Sequence, residues 1–581
     1  MRANPSGGPC GPPSPPGRRA IVLAAVAATA LSVLLVRDHT RGDSLSADEP
    51  VHILSGYFDV FARNAIVNIE HPPLMKMLAG LALKTLPLPQ PPSRVPMGIS
   101  FTDWGREFFF HGPVPPDAII ATARAPFLLL LALLLATVFL WARSRYGDGA
   151  ALLAVALLAF DPNLVAHAGV VHTDLGAALT FLLAVIAWEN LRNAGPSAAN
   201  FAAAAVALGL AFLTKFSAVY LLPILLLQGL LSARKEDRPG AAIGRMLGRL
   251  GLVVAAAFAL VLGVYAIVTS RMDLADQRDI IHEMVALRGA PGLSRVIEEI
   301  ARVSPPLGHY LGGLASVARQ NAQGGGVNFL FGKVSVAGFP FYFFIAFLAK
   351  STLAFLVVTA LALYALARDP ESRAEASLLL LPVGVLFLAS IGTSYNIGIR
   401  HMLPVYPFLA LAGAGLFARA SRKARGHAPV WLLAALPLVS AAEIVLIHPH
   451  ELSYFNPLAG GPDRGRRILS DSNVDWGLDL KRLAAEVRRR GVADPTVAYF
   501  GGDDVGFRVG VPDFLQRPAV RGGLVAVSEF YLAEGRQFLR YQGTREAAAA
   551  LEWLLAEIAA RGRPAGRVGY SIELFELRDR E

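Results

Sequence analysis

Runs of about 20 apolar residues, the length needed to cross a bilayer as a helix, recur along most of this chain and narrow its fold more than any other feature. The first runs from Ala20 to Val36, and others follow near 119–142, 149–166, 175–191, 200–214, 216–232, 250–269, 339–366, 376–392, 401–418 and 429–447. Together they predict a polytopic α-helical membrane protein with about eleven transmembrane helices. Composition agrees: 54% of the 581 residues are hydrophobic and 17% charged, with mean hydropathy +0.48. A net charge of +10 would suit nucleic acid, but the basic residues sit in short clusters between apolar runs rather than on one soluble face. They read as topology signals, and nucleic acid is excluded as a partner.

Placing the N-terminus in the cytoplasm puts Arg143/Arg145, Arg192, Arg234/Lys235/Arg238, Arg368/Arg373 and Arg419/Arg422/Lys423/Arg425 on the inner side, as the positive-inside rule asks. The expected location is the inner (plasma) membrane, crossed many times. Residues 1–17 are low-complexity Pro/Gly sequence, expected to be a disordered tail holding the single cysteine, Cys10. Arg18 and Arg19 then precede an apolar run that fits a signal peptide or an uncleaved anchor, and the anchor is expected because apolar residues continue past the small-residue site near Ala28 to Ala30. A transmembrane domain of residues 18–447 follows, with two long outer loops, 37–118 and 270–338. Residues 448–581 mix polar and apolar residues at soluble proportions and predict an extracytoplasmic α/β domain. Its helices are expected from Leu480 and over Glu546 to Ala560, and its strands at "TVAYF", "GLVAVS" and "VGYSIELFEL".

Ionisable residues cluster where the chain first leaves the bilayer, in "SADEPVHILSGYFDVFARNAIVNIEHPPLMK". Asp48-Glu49-Pro50 fits a helix N-terminus, and equally a carboxylate held at the membrane surface as a general base. Glu70 and His71 precede two prolines that forbid helix and fix the approach of the next segment, which ends at Lys76 in the quoted stretch. A second outer loop, "HAGVVHTDLG", brings His167, His172 and Asp174. Lys215, Lys350 in "FLAKSTLAF", and Arg400-His401 in "IGIRHMLPVYP" interrupt apolar sequence, as snorkelling anchors or as a phosphate clamp. Histidines and acids in these loops permit a divalent metal, but no H-x-x-x-H or equivalent spacing supports one, so no cofactor is expected. Asp471, Asn473, Asp475 and Trp476 in "DSNVDWGLDLKRL" read more readily as an Asx-rich turn capping a helix than as a sugar site.

The motifs, taken in order, resemble the GT-C glycosyltransferases of family 39, which include protein O-mannosyltransferases and lipid A aminoarabinose transferases. The resemblance rests on "DEP" after the first span, "EHPPLMK", "HTD", "NFLFGKVSVAGFPFYF", "NIGIRHMLPVYPF" and "YFNPLAGGPDRGRRILSDSNVDWGLDLKRL". It implies a GT-C fold and transfer of one sugar from a polyprenyl-phosphate donor to an extracytoplasmic glycan, lipid or protein acceptor, with inversion at the anomeric carbon. Asp48, Glu49 and Asp174 match the family's catalytic acids; Glu70 and His71 match the position before the paired prolines. Lys76, Lys215, Lys350, Arg400 and His401 are then candidates for binding the substrates. Two other classes are weighed: a secondary transporter, which would place ionisable groups near mid-bilayer in repeated halves, and a non-catalytic scaffold with an external binding domain. Neither accounts for acids concentrated in outer loops.

Overall fold

The computed structural model describes residues 17–92, 101–193, 197–324, 326–369, 372–423, 428–521 and 523–578; the expected tail, 1–17, lies outside them except for Gly17. Six described helices are long and apolar enough to span a membrane: Arg18–Gly42, Pro116–Tyr146, Asp174–Asn193, Phe216–Ala233, Pro239–Val268 and Arg373–Ile391. Two bent pairs, Asp148–Ala159 with Pro162–Ala168 (64°) and Tyr342–Lys350 with Leu353–Arg368 (118°), raise the count to as many as eight. About eleven were expected. The apolar helices Ala198–Thr214 and Trp431–Ile447 are shorter than the six, and Val405–Lys423 ends in a basic turn.

Both bends have local causes. At the first, Pro162 cannot continue the preceding helix, and the Asp161 carboxylate caps the new one by accepting from the Asn163 and Leu164 amides at 3.0 and 3.1 Å. At the second, the Thr352 hydroxyl accepts from the Phe355 amide at 3.3 Å. The two breaks meet: the Asn163 side-chain amide donates to the Lys350 carbonyl at 2.8 Å. Backbone groups freed by the breaks therefore find partners inside the protein, as low-dielectric surroundings require.

Helix Arg18–Gly42 buries Ala25, Ala28, Ser32 and Val36, small residues that let it lie close to Asp148–Ala159. Its other faces carry exposed Leu23, Val26, Leu31 and Leu34, an apolar surface suited to lipid. In the first outer loop, helices Glu49–Tyr57 and Pro73–Leu83 cross backbone to backbone. A Cβ on Gly56 would run into the Lys76 carbonyl oxygen, and one on Gly80 into that of Gly56. The second long loop holds helices Leu274–Ile281, Pro291–Val303 and Pro305–Ala322, then a hairpin of strands β1 (Asn328–Leu330) and β2 (Lys333–Ser335).

Residues 448–478 thread along one end of the helices, beside the break between Lys350 and Leu353. The Asn456 amide donates to the Ala349 carbonyl at 2.9 Å, and its side chain to the Leu348 and Ser351 carbonyls at 2.6 and 2.9 Å, so this segment fills the second break. Beyond it, strands β3 (Thr496–Ala498), β4 (Leu524–Ser528), β5 (Gly562–Val568) and β6 (Ile572–Leu577) form a sheet of order β3-β4-β6-β5. Only the β3–β4 pair is parallel. Helix Leu480–Arg490 packs Leu480, Leu483 and Val487 with Val497 and Leu574, while Arg545–Arg561 packs Leu551 and Leu554 with Val525 and Val527. The alternation of side chains along each strand thus feeds two cores, giving an α/β layering.

Two measurements follow from this packing. Gly56→Ala should lower stability by about 1–3 kcal/mol, read as a fall in Tm in detergent, because the new methyl meets backbone; an unchanged Tm would mean the two helices can separate. His448 links the end of the first helix to the tail, 3.0 Å from Asp38 and 2.5 Å from Glu451. The Glu451 hydrogen bond, reinforced by Asp38 against the cost of burial, raises its pKa from 6.5 to about 9. A raised folded-state value means the contribution is complete below 6.5 and disappears as pH climbs through 9. The Tm gap between wild type and His448→Gln should therefore close over that interval; a gap independent of pH would assign the effect to packing.

Candidate active site

The proline at position 50 starts helix Glu49–Tyr57, and that start points two adjacent carboxylates in different directions. Glu49 is completely buried. Its oxygens take both arms of the Arg124 guanidinium at 2.7 and 2.6 Å and also accept from the Ser46 and Val171 amides at 2.9 and 3.0 Å. Arg124 donates onward to the Ser44 carbonyl at 2.7 Å. Glu49 thus binds the first outer loop to span Pro116–Tyr146 and to the second outer loop. Arg124 is a residue that sequence reasoning passed over, although an arginine inside the apolar stretch "TARAPF" was a visible signal.

Asp48 faces the other way and keeps 38% of its side chain open. Its Oδ2 lies 2.8 Å from Arg400 Nη1 and 3.5 Å from His172 Nε2. The same Arg400 nitrogen is 3.0 Å from His172 Nε2, and His172 Nδ1 is 2.6 Å from Asp174 Oδ2. Asp174 also pairs with Lys215. The Arg400 guanidinium is itself buried, 4.3 Å above the buried Trp476 ring, a cation–π contact that holds it flat and desolvated. Burial acts to raise the Asp48 carboxyl, but Arg400 and the nearby imidazoles outweigh it and hold the group well below the usual carboxylate range. Asp48 is therefore an ionised, accessible carboxylate beside a fixed cation.

His52 and His71 lie next to His172, with ring centroids 4.7 Å (His52–His71), 4.6 Å (His52–His172) and 5.7 Å (His71–His172) apart. Burial, and then the neighbouring imidazole and lysine charges, push the pKa values of His52 and His71 well down, leaving neutral rings. The three come from separate segments, which is why no histidine spacing in the sequence announced them. His401 sits at the edge, its ring 5.8 Å from Phe343 and 6.1 Å from Tyr395. Asp471, in a left-handed conformation with φ 55°, has its carboxyl pushed up to about 7 by burial against the pull of Arg400.

Other candidates are spent elsewhere. The Lys350 ammonium donates to the Leu452 and Asn473 carbonyls at 2.6 Å each and lies 4.6 Å from the Phe455 ring centroid, so it clamps the tail rather than facing Asp48. Lys76 is buried, donating to the Asn68 carbonyl at 2.6 Å with Asp59 at 4.0 Å. Glu70 pairs with Arg288 of the second long loop at 2.5 Å and joins the two loops. Asn473 and Asp475 accept from backbone amides of Ile399, Gly477 and Phe530, a tethering role. Trp476, from the same motif, instead forms the floor beneath Arg400.

A family model described as dolichyl-phosphate-mannose-protein mannosyltransferase matches residues 119–267, about a quarter of the chain. None of the curated proteins matches. Among solved structures, ArnT from Cupriavidus metallidurans bound to undecaprenyl phosphate is 14% identical with a TM-score of 0.46, covering 96% of this chain and 97% of its own. The archaeal oligosaccharyltransferase AglB from Archaeoglobus fulgidus, in complex with an inhibitory peptide and a dolichol-phosphate, is 16% identical with a TM-score of 0.42, covering 73% of this chain and 56% of its own. The S. cerevisiae protein O-mannosyltransferase Pmt1-Pmt2 complex bound to the sugar donor is 16% identical with a TM-score of 0.31, over 44% and 34%. At these scores no residue role passes from them to this chain.

The buried Glu49–Arg124 pair makes a prediction about stability. Glu49→Gln strips the guanidinium of its counter-charge and should cost about 3–5 kcal/mol, while Glu49→Gln with Arg124→Met should recover part of it because no unpaired charge remains. Unfolding in detergent measures both. Equal losses would show that the stranded charge is not the cause.

Proposed function

We propose that this chain is a membrane glycosyltransferase that moves one sugar from a polyprenyl-phosphate donor to an extracytoplasmic acceptor with inversion. The observation that carries the reading is the accessible Asp48 carboxylate, 2.8 Å from a buried arginine, at the ends of apolar helices. The partial family match over 119–267 points the same way. We count eleven crossings in this reading, taking each bent pair as one span and adding Ala198–Thr214, Val405–Lys423 and Trp431–Ile447. Arg143, Arg145, Arg192 and Arg419 then lie at the ends opposite to Arg124, Asp174 and Lys215, which supports an external position for Asp48 and for residues 448–581.

The chemistry follows from the charges. The bond between the anomeric carbon and the donor phosphate oxygen breaks as the acceptor hydroxyl oxygen attacks from the opposite face, and the hydroxyl proton passes to Asp48. The departing lipid phosphate gathers negative charge, which Arg400 receives through its paired N–H donors, with Lys215 as the second cation. Arg400 also sets the timing. While it holds Asp48, the carboxylate is a weak base; a phosphate arriving at the guanidinium competes for it and restores basicity to Asp48. Asp174 keeps His172 and Lys215 in place, Glu49 is a positioning residue, His71 and His401 border the substrates, and Glu70 and Lys76 brace the loops behind them. A polyprenyl carrier enters from the bilayer, while a glycan, lipid or protein acceptor approaches from water.

The test is reconstitution in liposomes with a panel of polyprenyl-phosphate sugars and an envelope extract as acceptor, following donor loss by mass spectrometry. Wild type should consume one donor, and Asp48→Asn should do so at least about a hundredfold more slowly. Equal rates for the two proteins would remove Asp48 as the base, and consumption of none of the donors would overturn the assignment of the donor class.

A further inference from the structure

We propose that His52, His71 and His172 bind a single divalent transition-metal ion of the zinc class. Each offers one ring nitrogen, and these nitrogens all lie within 4.8 Å of one another. Two of the rings have their free nitrogen set by a neighbour, as metal-binding imidazoles do. Asn68 Oδ1 lies 3.3 Å from His71 Nδ1, which places the proton there and leaves Nε2 with a lone pair, and Arg400 Nη1, 3.0 Å from His172 Nε2, meets a lone pair on that nitrogen. Asp174 Oδ2 lies 2.6 Å from His172 Nδ1 as a close charge contact rather than an aligned hydrogen bond. His52 supplies the independent sign of a ligand: it is 2% exposed, yet its Nδ1 has no hydrogen-bond partner. A buried polar atom left unpaired is costly, and coordination at this ring, with the accompanying choice of tautomer, gives the imidazole a use.

The donor set selects the ion. Imidazoles favour zinc, cobalt, nickel or copper over magnesium and calcium, whose preference is for oxygen. Three histidines leave a fourth tetrahedral position open, and Asp48, with Oδ2 3.5 Å from His172 Nε2, borders it. The nitrogens are spread more widely than the roughly 3.3 Å separation a tetrahedral zinc ion requires, so binding draws the rings inward. It also takes the His172 lone pair that Arg400 Nη1 now meets at 3.0 Å; the guanidinium then keeps only Asp48. Lys76, Lys215 and Arg400 oppose a cation here, whereas Asp48 and Asp174 favour it, so the affinity depends on those two carboxylates.

The test uses the full chain in detergent, without appended histidines and stripped with a chelator. After loading with Zn²⁺ and desalting, elemental analysis should find one zinc per chain, and Co²⁺ should give the intense visible bands of a tetrahedral site. His71→Gln and His172→Gln should each lose at least tenfold in zinc affinity, Asp174→Asn about tenfold through the orienting contact, and the exposed His111→Ala nothing. Substoichiometric zinc in the wild type, or affinity unchanged in both glutamine variants, would overturn the site. The cobalt spectrum of the unmutated protein decides independently of variant folding, since weak octahedral bands would also refute it.

Discussion

The cleft depends on one buried ion pair. Glu49 and Arg124 join a loop, a span and a second loop through a carboxylate whose every acceptor direction is taken. Such a pair is costly to desolvate and costly to break, so it adds little net stability but strongly penalises any arrangement in which its partners are displaced. The consequence falls on its neighbour. With Glu49 fixed, the first residue before the helix, Asp48, has its direction fixed too, toward Arg400 and open solvent. Two adjacent acids thus divide the work, one holding the frame and the other exposed by it.

The same division recurs among the cations. Lys350 and Lys76 have ammonium groups turned to backbone carbonyls, and both serve folding. Arg400 instead directs its donors at a half-open carboxylate and a histidine. Burial is common to all three, so burial alone does not distinguish Arg400 from the two lysines. What separates them is whether the charge is neutralised by groups that can leave. A backbone carbonyl cannot, whereas an exposed carboxylate can exchange its partner for a phosphate.

Much of this was legible in the sequence where the signal is local. Apolar length located nearly every long helix, and the acid pair before Pro50 drew attention to the loop in which Asp48 meets Arg400. The α/β layering of the last hundred residues followed from periodicity at Leu480–Val487 and from the strand-rich runs. Long-range convergence was not legible. Nothing near Lys350 reveals that a carbonyl 102 residues later will take its ammonium, nor do the positions of His52, His71 and His172 reveal that their rings meet. The 64° and 118° bends were hidden as well, because an apolar run reads as one span until a capping side chain such as Asp161 or Thr352 finds the amides it can hold.

The ring beneath Arg400 belongs to residue 476, beyond the last span, while the carboxylate it faces belongs to residue 48. The Asp48–Arg400 pair is therefore closed by segments far apart in the sequence, and most of the long apolar helices are made before its floor exists. During synthesis the segment past Ile447 must be made before the guanidinium has a surface to lie on. A chain not yet made as far as Trp476 carries the acids and the arginine without the arrangement that holds them together.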